Sequence, residues 1–154
     1  MPGPEPPSAT LARDHRELDA FFTAAAGALA RGDAAAAHEA LDRAWMRLAV
    51  HIRAEHKVLF PAVLEAHPDL ADRILRLRED HDVFMVALAR LVAASKGPSP
   101  ELPALADELE RVVTRLQAHN RLEEAEVYPR AGADPELQDR LHAELAFLPE
   151  RYRA

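Results

Sequence analysis

One pattern occurs twice in this chain, and it constrains the fold more than any bulk property does. His51-x-x-x-Glu55 is followed by Phe60-Pro61, and His119-x-x-x-Glu123 is followed by Tyr128-Pro129, at an offset of 68 residues. Asp14-His15 and Asp80-His81 repeat at an offset of 66. A helix hairpin is therefore echoed by a second one, with the two-residue difference absorbed in a loop. Such a repeat predicts a pseudo-twofold helical bundle in which equivalent positions meet near the axis.

Apolar spacing supports helices throughout. Leu11, Leu18, Phe22 and Leu29 recur on one face of a first helix beginning near Thr10. Gly32 can end it and Asp33 can cap a second helix, which should run from Ala34 to Ala66 with Pro61 kinking or thinning its last turn. Pro68 or Asp69 opens a third helix, which carries Ile74, Leu77, Phe84, Leu88 and Leu91 and stops at Ser95-Lys96-Gly97-Pro98. Ser99 can cap a fourth, with Pro100 at its first position and Pro103 still inside the first turn, continuing to about Pro129. Asp134-Pro135 opens a short fifth helix ending near Pro149. The predicted architecture is all-α: a disordered lead-in over 1–9, an up-down-up-down four-helix bundle over 10–131, and a C-terminal helix within 132–154 packed on it.

Composition fits this reading. Hydrophobic residues make up 49% of the 154, much of it Ala, and aromatic residues only 5%. The net charge of −7 opposes contact with phosphate backbones, so nucleic acid is not an expected partner. The lack of Cys excludes disulfides and cysteinyl zinc or iron–sulfur sites. No apolar run approaches the ~20 residues of a membrane span, and the N-terminal stretch lacks a basic and apolar leader pattern. The cytoplasm is the expected location, with no membrane partner; the oligomeric state is not legible.

Residues four apart in a helix share a face, ~6 Å apart along the axis. His51 with Glu55, and His119 with Glu123, therefore point the same way, inside stripes made by Leu48, Ile52 and Leu59 and by Leu116 and Val127. His15 lies between Leu11 and Leu18, and His81 between Leu77 and Phe84. All six ionisable side chains aim at the core. Burying each without a partner costs roughly 2–7 kcal/mol. A single His-x-x-x-Glu is common on an exposed helix, but two copies on core faces, each preceded by a matching His, point to metal. Imidazole with carboxylate suits iron or manganese, and a carboxylate can span two ions.

The order His…His-x-x-x-Glu…His…His-x-x-x-Glu, with an aromatic-Pro pair after each Glu, resembles the hemerythrin-like (HHE) cation-binding family over roughly Leu11 to Pro129. The resemblance implies a metal site of His15, His51, Glu55, His81, His119 and Glu123, with Glu55 and Glu123 as bridges. It also implies a cofactor of two Fe ions joined by an oxo or hydroxo group; the same donors accept Mn. The expected partners are a small diatomic ligand (O2 or NO) or peroxide, together with an electron donor protein.

The chain departs from the oxygen-carrying hemerythrins, whose third helix bears His-x-x-x-His: Leu77 and Met85 stand four residues before and after His81. Two six-coordinate ions offer about twelve positions, of which four imidazoles and two bridging carboxylates fill about eight. The open positions favour a reactive di-iron oxidoreductase over a reversible O2 carrier, a sensor or an iron store. Glu124 stands five after His119, where the carriers place their bridging acid, and it competes with Glu123 for that role. His56 is its repeat counterpart. A turn of ~100° per residue directs both away from the axis of the preceding His, as candidates for supporting ligands from outside. The same arithmetic puts Tyr128 opposite His119, so a direct bond from it to iron is not expected. His38, His67 and His142 read as solvated, and Trp45 with Phe21-Phe22 as packing.

Overall fold

The computed structural model describes residues 5–152. Among these, helix alternates with short turns and no strand occurs. The first helix, α1 (Pro7–Ala30), starts three residues before the expected Thr10, because Pro7 at its first position is pre-set for a helical φ and has no N–H to satisfy. Of the expected 1–9 lead-in, 1–4 lie outside the described residues and 7–9 are helical. Gly32, at φ 75°, turns the chain, and the Asp33 carboxylate accepts from the Ala36 N–H at 3.0 Å to cap α2 (Ala34–Ala54).

The helix of α2 continues to Ala66 as expected, but it is not uniform. A π-helical turn at Glu55–Leu59 joins α2 to α3 (Phe60–Ala66). A second π turn, Glu123–Val127, follows α5 (Leu102–Leu122) and leads into a 3-10 turn over Tyr128–Ala131. In an α-helix, Pro61 and Pro129 would face the carbonyls of Lys57 and Ala125 with a ring and no donor. The wider turn removes that conflict: the Phe60 and Tyr128 N–H groups donate to the Glu55 and Glu123 carbonyls, five residues back.

A 3-10 turn, Pro68–Leu70, precedes α4 (Ala71–Ser95). Contrary to expectation, Ser99 and Pro100 do not open α5; Glu101 holds the cap position and Pro103 falls in the first turn. Starting at Pro100 would have set the Pro103 ring against the Ser99 carbonyl. The last helix, α6 (Pro135–Leu145), is capped by Asp134 and ends four residues short of Pro149.

The long helices form a closed ring of neighbours, α1 on α2, α2 on α4, α4 on α5 and α5 on α1, while α6 lies against α2 and α1. The apolar interior has two parts. One contains Leu18, Phe22, Leu41, Leu48, Phe84, Leu88 and Leu109; the other contains Leu11, Leu59, Phe60, Ile74, Leu77, Val127 and Leu141. Each such side chain contributes ~1.5–3 kcal/mol by leaving water. Trp45 and Phe21 pack at the margin of the first part, as expected. Between the two parts lies a polar layer containing the histidines of the repeat. Among the described residues, no helix is long and apolar enough to cross a membrane.

Candidate metal centre

The six predicted residues meet inside the helical ring. His15, His51, His81 and His119 are 2–5% exposed, and Glu55 and Glu123 are 0% exposed. The histidines form two pairs with ring centroids 4.6 Å (His15–His51) and 4.9 Å (His81–His119) apart. The glutamates span the pairs. Glu55 Oε1 lies 3.6 Å from His51 Nε2 and 3.2 Å from His81 Nε2. Glu123 Oε1 lies 3.4 Å from His15 Nε2 and 3.3 Å from His119 Nε2. Each carboxylate thus reaches its own helix's histidine and one from the other hairpin, as the repeat symmetry requires.

Outer partners fix the direction of the rings. His51 Nδ1 donates to Asp14 Oδ2 at 2.7 Å, and His119 Nδ1 to Asp80 Oδ2 at 3.1 Å. A carboxylate can only accept, so in the neutral imidazoles Nε2 carries its lone pair inward. Asp14 is itself paired with Arg47. His81 Nδ1 lies 2.7 Å from His56 Nε2. Burial, then the charges of His81 and Arg78, push His56 down to about 4, so it is neutral, and when its Nε2 accepts from His81 Nδ1 the His81 Nε2 lone pair faces inward. Glu124, its repeat counterpart, faces His15 Nδ1 at 3.7 Å, longer than a hydrogen bond. His56 and Glu124 accordingly sit on the outer edge of the rings, and Glu123 is the acid turned inward.

This interior fits a cation. His81 and His119 bring their Nε2 atoms within 3.1 Å of one another, and Glu55 Oε1 and Glu123 Oε2 are buried with no hydrogen-bond partner among the described residues. Burial, then the Glu123 charge, raises the Glu55 pKa. Burial also opposes charge on Glu123, but hydrogen bonds from Glu55, His119 and His15 outweigh it and hold its pKa well below the usual value. Burial likewise opposes an imidazolium at His51, yet Glu55 and Asp14 raise its pKa to about 9. Two sets of donor atoms, His15/His51/Glu123 and His81/His119/Glu123, each lie within 4.8 Å of one another, close enough to hold a metal ion.

Two features escape the sequence reading. Tyr128 does not point away from His119. A π turn brings residues five apart into line, so Tyr128 stacks over Glu123 and its hydroxyl enters the centre. Tyr128 Oη lies 3.0 Å from His15 Nε2, 3.2 Å from His51 Nε2, 2.8 Å from Glu55 Oε2 and 3.2 Å from Glu123 Oε1. The second is the aspartate before each leading histidine. Its repetition is visible in the sequence, but its partner lies on the adjacent helix. Away from the centre, His38 is not solvated either: its Nδ1 lies 3.0 Å from Ser95 Oγ and 3.2 Å from the Val92 carbonyl, tying α2 to α4.

The fold and the site together define an all-helical protein with a buried imidazole–carboxylate cradle for metal. The chain belongs to the hemerythrin HHE cation-binding domain family, whose model matches residues 7–131. The match spans α1 through the 3-10 turn ending at Ala131 and leaves out α6. No curated protein and no solved structure matches the chain.

Proposed function

We propose that this protein is a di-iron protein of up-down-up-down bundle topology that binds and reduces a small oxidant: O2, peroxide or NO. His15 and His51 would hold one ion and His81 and His119 the other, with Glu55 and Glu123 placed to serve both. The observation that carries this reading is the cross-pairing of each glutamate with one histidine from either hairpin. A carboxylate so placed can bind both ions at once.

Iron supplies the electrons when bound, and an external donor protein replaces them. The protein's part is to orient and to select. Asp14 and Asp80 keep His51 and His119 in the tautomer with Nε2 free, which raises the basicity of the donor atom. The six donors are no more than 5% exposed, which favours molecules of a few atoms over bulky organic substrates. Four imidazoles and two carboxylates leave several positions of a di-iron pair open, which favours turnover over reversible carriage.

The test is iron loading without oxygen, metal analysis, and separate challenge with O2, peroxide and NO. The proposal expects close to two irons per chain and irreversible oxidation or steady consumption of at least one oxidant. A stable oxygen adduct that is lost under vacuum would instead establish a carrier. Iron retained without reaction with any of the three would leave storage.

A further inference from the structure

The two halves of the centre are equivalent in their histidines and glutamates but not at the position 68 residues apart occupied by Phe60 and Tyr128. The Phe60 ring lies parallel to His81, with 6.0 Å between centroids and 5° between planes, and offers no donor atom. Tyr128 delivers a hydroxyl into the other half. We propose that Tyr128 is a seventh protein ligand, its phenol oxygen bound to the ion between His15 and His51, so that the two ions are chemically distinct. This inference rests on the di-iron reading given above.

The hydrogen-bond count around Tyr128 Oη argues for it. One hydroxyl carries one hydrogen and two lone pairs. Here it faces two imidazole nitrogens and two carboxylate oxygens, all within 3.2 Å. Even with an N–H of His51 or His15 donating to the oxygen, one hydrogen and two lone pairs make at most three hydrogen bonds, one fewer than the four neighbours. A cation among them can engage them all, once His51, whose Nδ1 faces Asp14, presents Nε2 as a neutral donor. Tyr128 is 1% exposed, so water does not make up the deficit from outside. Phenolate oxygen is a hard donor of the kind iron accepts alongside imidazole and carboxylate. On binding, the phenol O–H bond breaks, an O–Fe bond forms, and the proton leaves to water. The consequence is directional: the His15/His51 ion gains a protein ligand, and the open positions concentrate on the His81/His119 ion beside Phe60.

The chain has only two tyrosines, and the hydroxyl of the other, Tyr152, donates to Asp42 at 2.9 Å, outside the centre. A phenolate signal is therefore assignable. Ferric protein with two irons per chain should show a visible phenolate-to-iron charge-transfer band, and excitation within it should enhance tyrosine ring modes in the Raman spectrum. Tyr128→Phe, which copies the residue found in the other half, should lose the band and keep both irons. Should that variant misfold, ring-deuterated tyrosine in the unaltered chain must shift the same Raman modes. Two irons without the band, or a band unchanged in Tyr128→Phe, would overturn the tyrosine ligand and leave the di-iron centre standing. A chain that takes up no iron would remove both.

Discussion

Asp14 and His51 face one another from neighbouring helices, with 2.7 Å between Oδ2 and Nδ1, and Arg47 holds the far side of the same carboxylate. Burial opposes ionisation of Asp14, but His51 and Arg47 reverse the effect and lower its pKa. The aspartate is thus a fixed anion that orients a histidine whose other nitrogen looks into the centre. Replacing it should loosen metal without emptying the protein of helix. Asp14→Ala is expected to weaken iron binding by about 10–100-fold in chelator competition, with the helical circular dichroism retained. Unchanged affinity would mean that the pairing is not needed to orient His51.

Glu55 is 0% exposed and placed between His51 and His81. Glu55→Ala removes one of the two carboxylates shared by the two halves and should leave a chain that binds at most one iron. Its fold should survive, because the variant also removes a buried carboxyl whose ionisation is opposed by burial and by the Glu123 charge in the metal-free interior. Metal analysis beside a thermal melt reads both quantities. Two irons retained in the variant would refute the bridging role.

The six inward-facing residues were legible in the sequence because α geometry holds from His51 to Glu55 and from His119 to Glu123. Beyond each glutamate it does not. The backbone widens into a π turn, and an extrapolation at ~100° per residue sends Tyr128 to the wrong side. The signal was nonetheless present: a proline six residues after each glutamate denies the helix an N–H in both copies. Asp14 and Asp80 belong to the repeat, but periodicity along one helix cannot say which neighbour a sideways residue meets. The start of α5 at Leu102 rather than Pro100 has a local reason, since Pro103 tolerates only a first-turn position. His38 escaped because its partners, Val92 and Ser95, are more than fifty residues away.

Metal uptake should release protons. In the metal-free chain, His51 has a pKa raised to about 9, so it is protonated at pH 7 and must lose that proton before Nε2 can bind iron. Iron added anaerobically to weakly buffered protein at pH 7 should acidify the solution, and retained iron should fall as pH is lowered. The pH change on titration measures this directly. Uptake with no proton release would show that His51 enters the reaction already neutral.

His38 provides a contrast far from the centre. Its Nδ1 lies 3.0 Å from Ser95 Oγ, and Ser95 is 4% exposed. His38→Ala should lower stability by about 1 kcal/mol in urea unfolding, since it removes a net hydrogen bond of ordinary worth. Iron stoichiometry should stay the same. A change in bound iron would mean that the α2–α4 contact positions the centre as well as stabilising the fold.

Two ions lying between the histidine pairs and sharing the glutamates would be visible directly. Crystals of iron-loaded protein, measured on either side of the iron absorption edge, test this arrangement. Two anomalous peaks per chain are expected, one beside His15 and His51 and one beside His81 and His119, with Glu55 and Glu123 touching both. A single peak, or two peaks with neither glutamate between them, would contradict it.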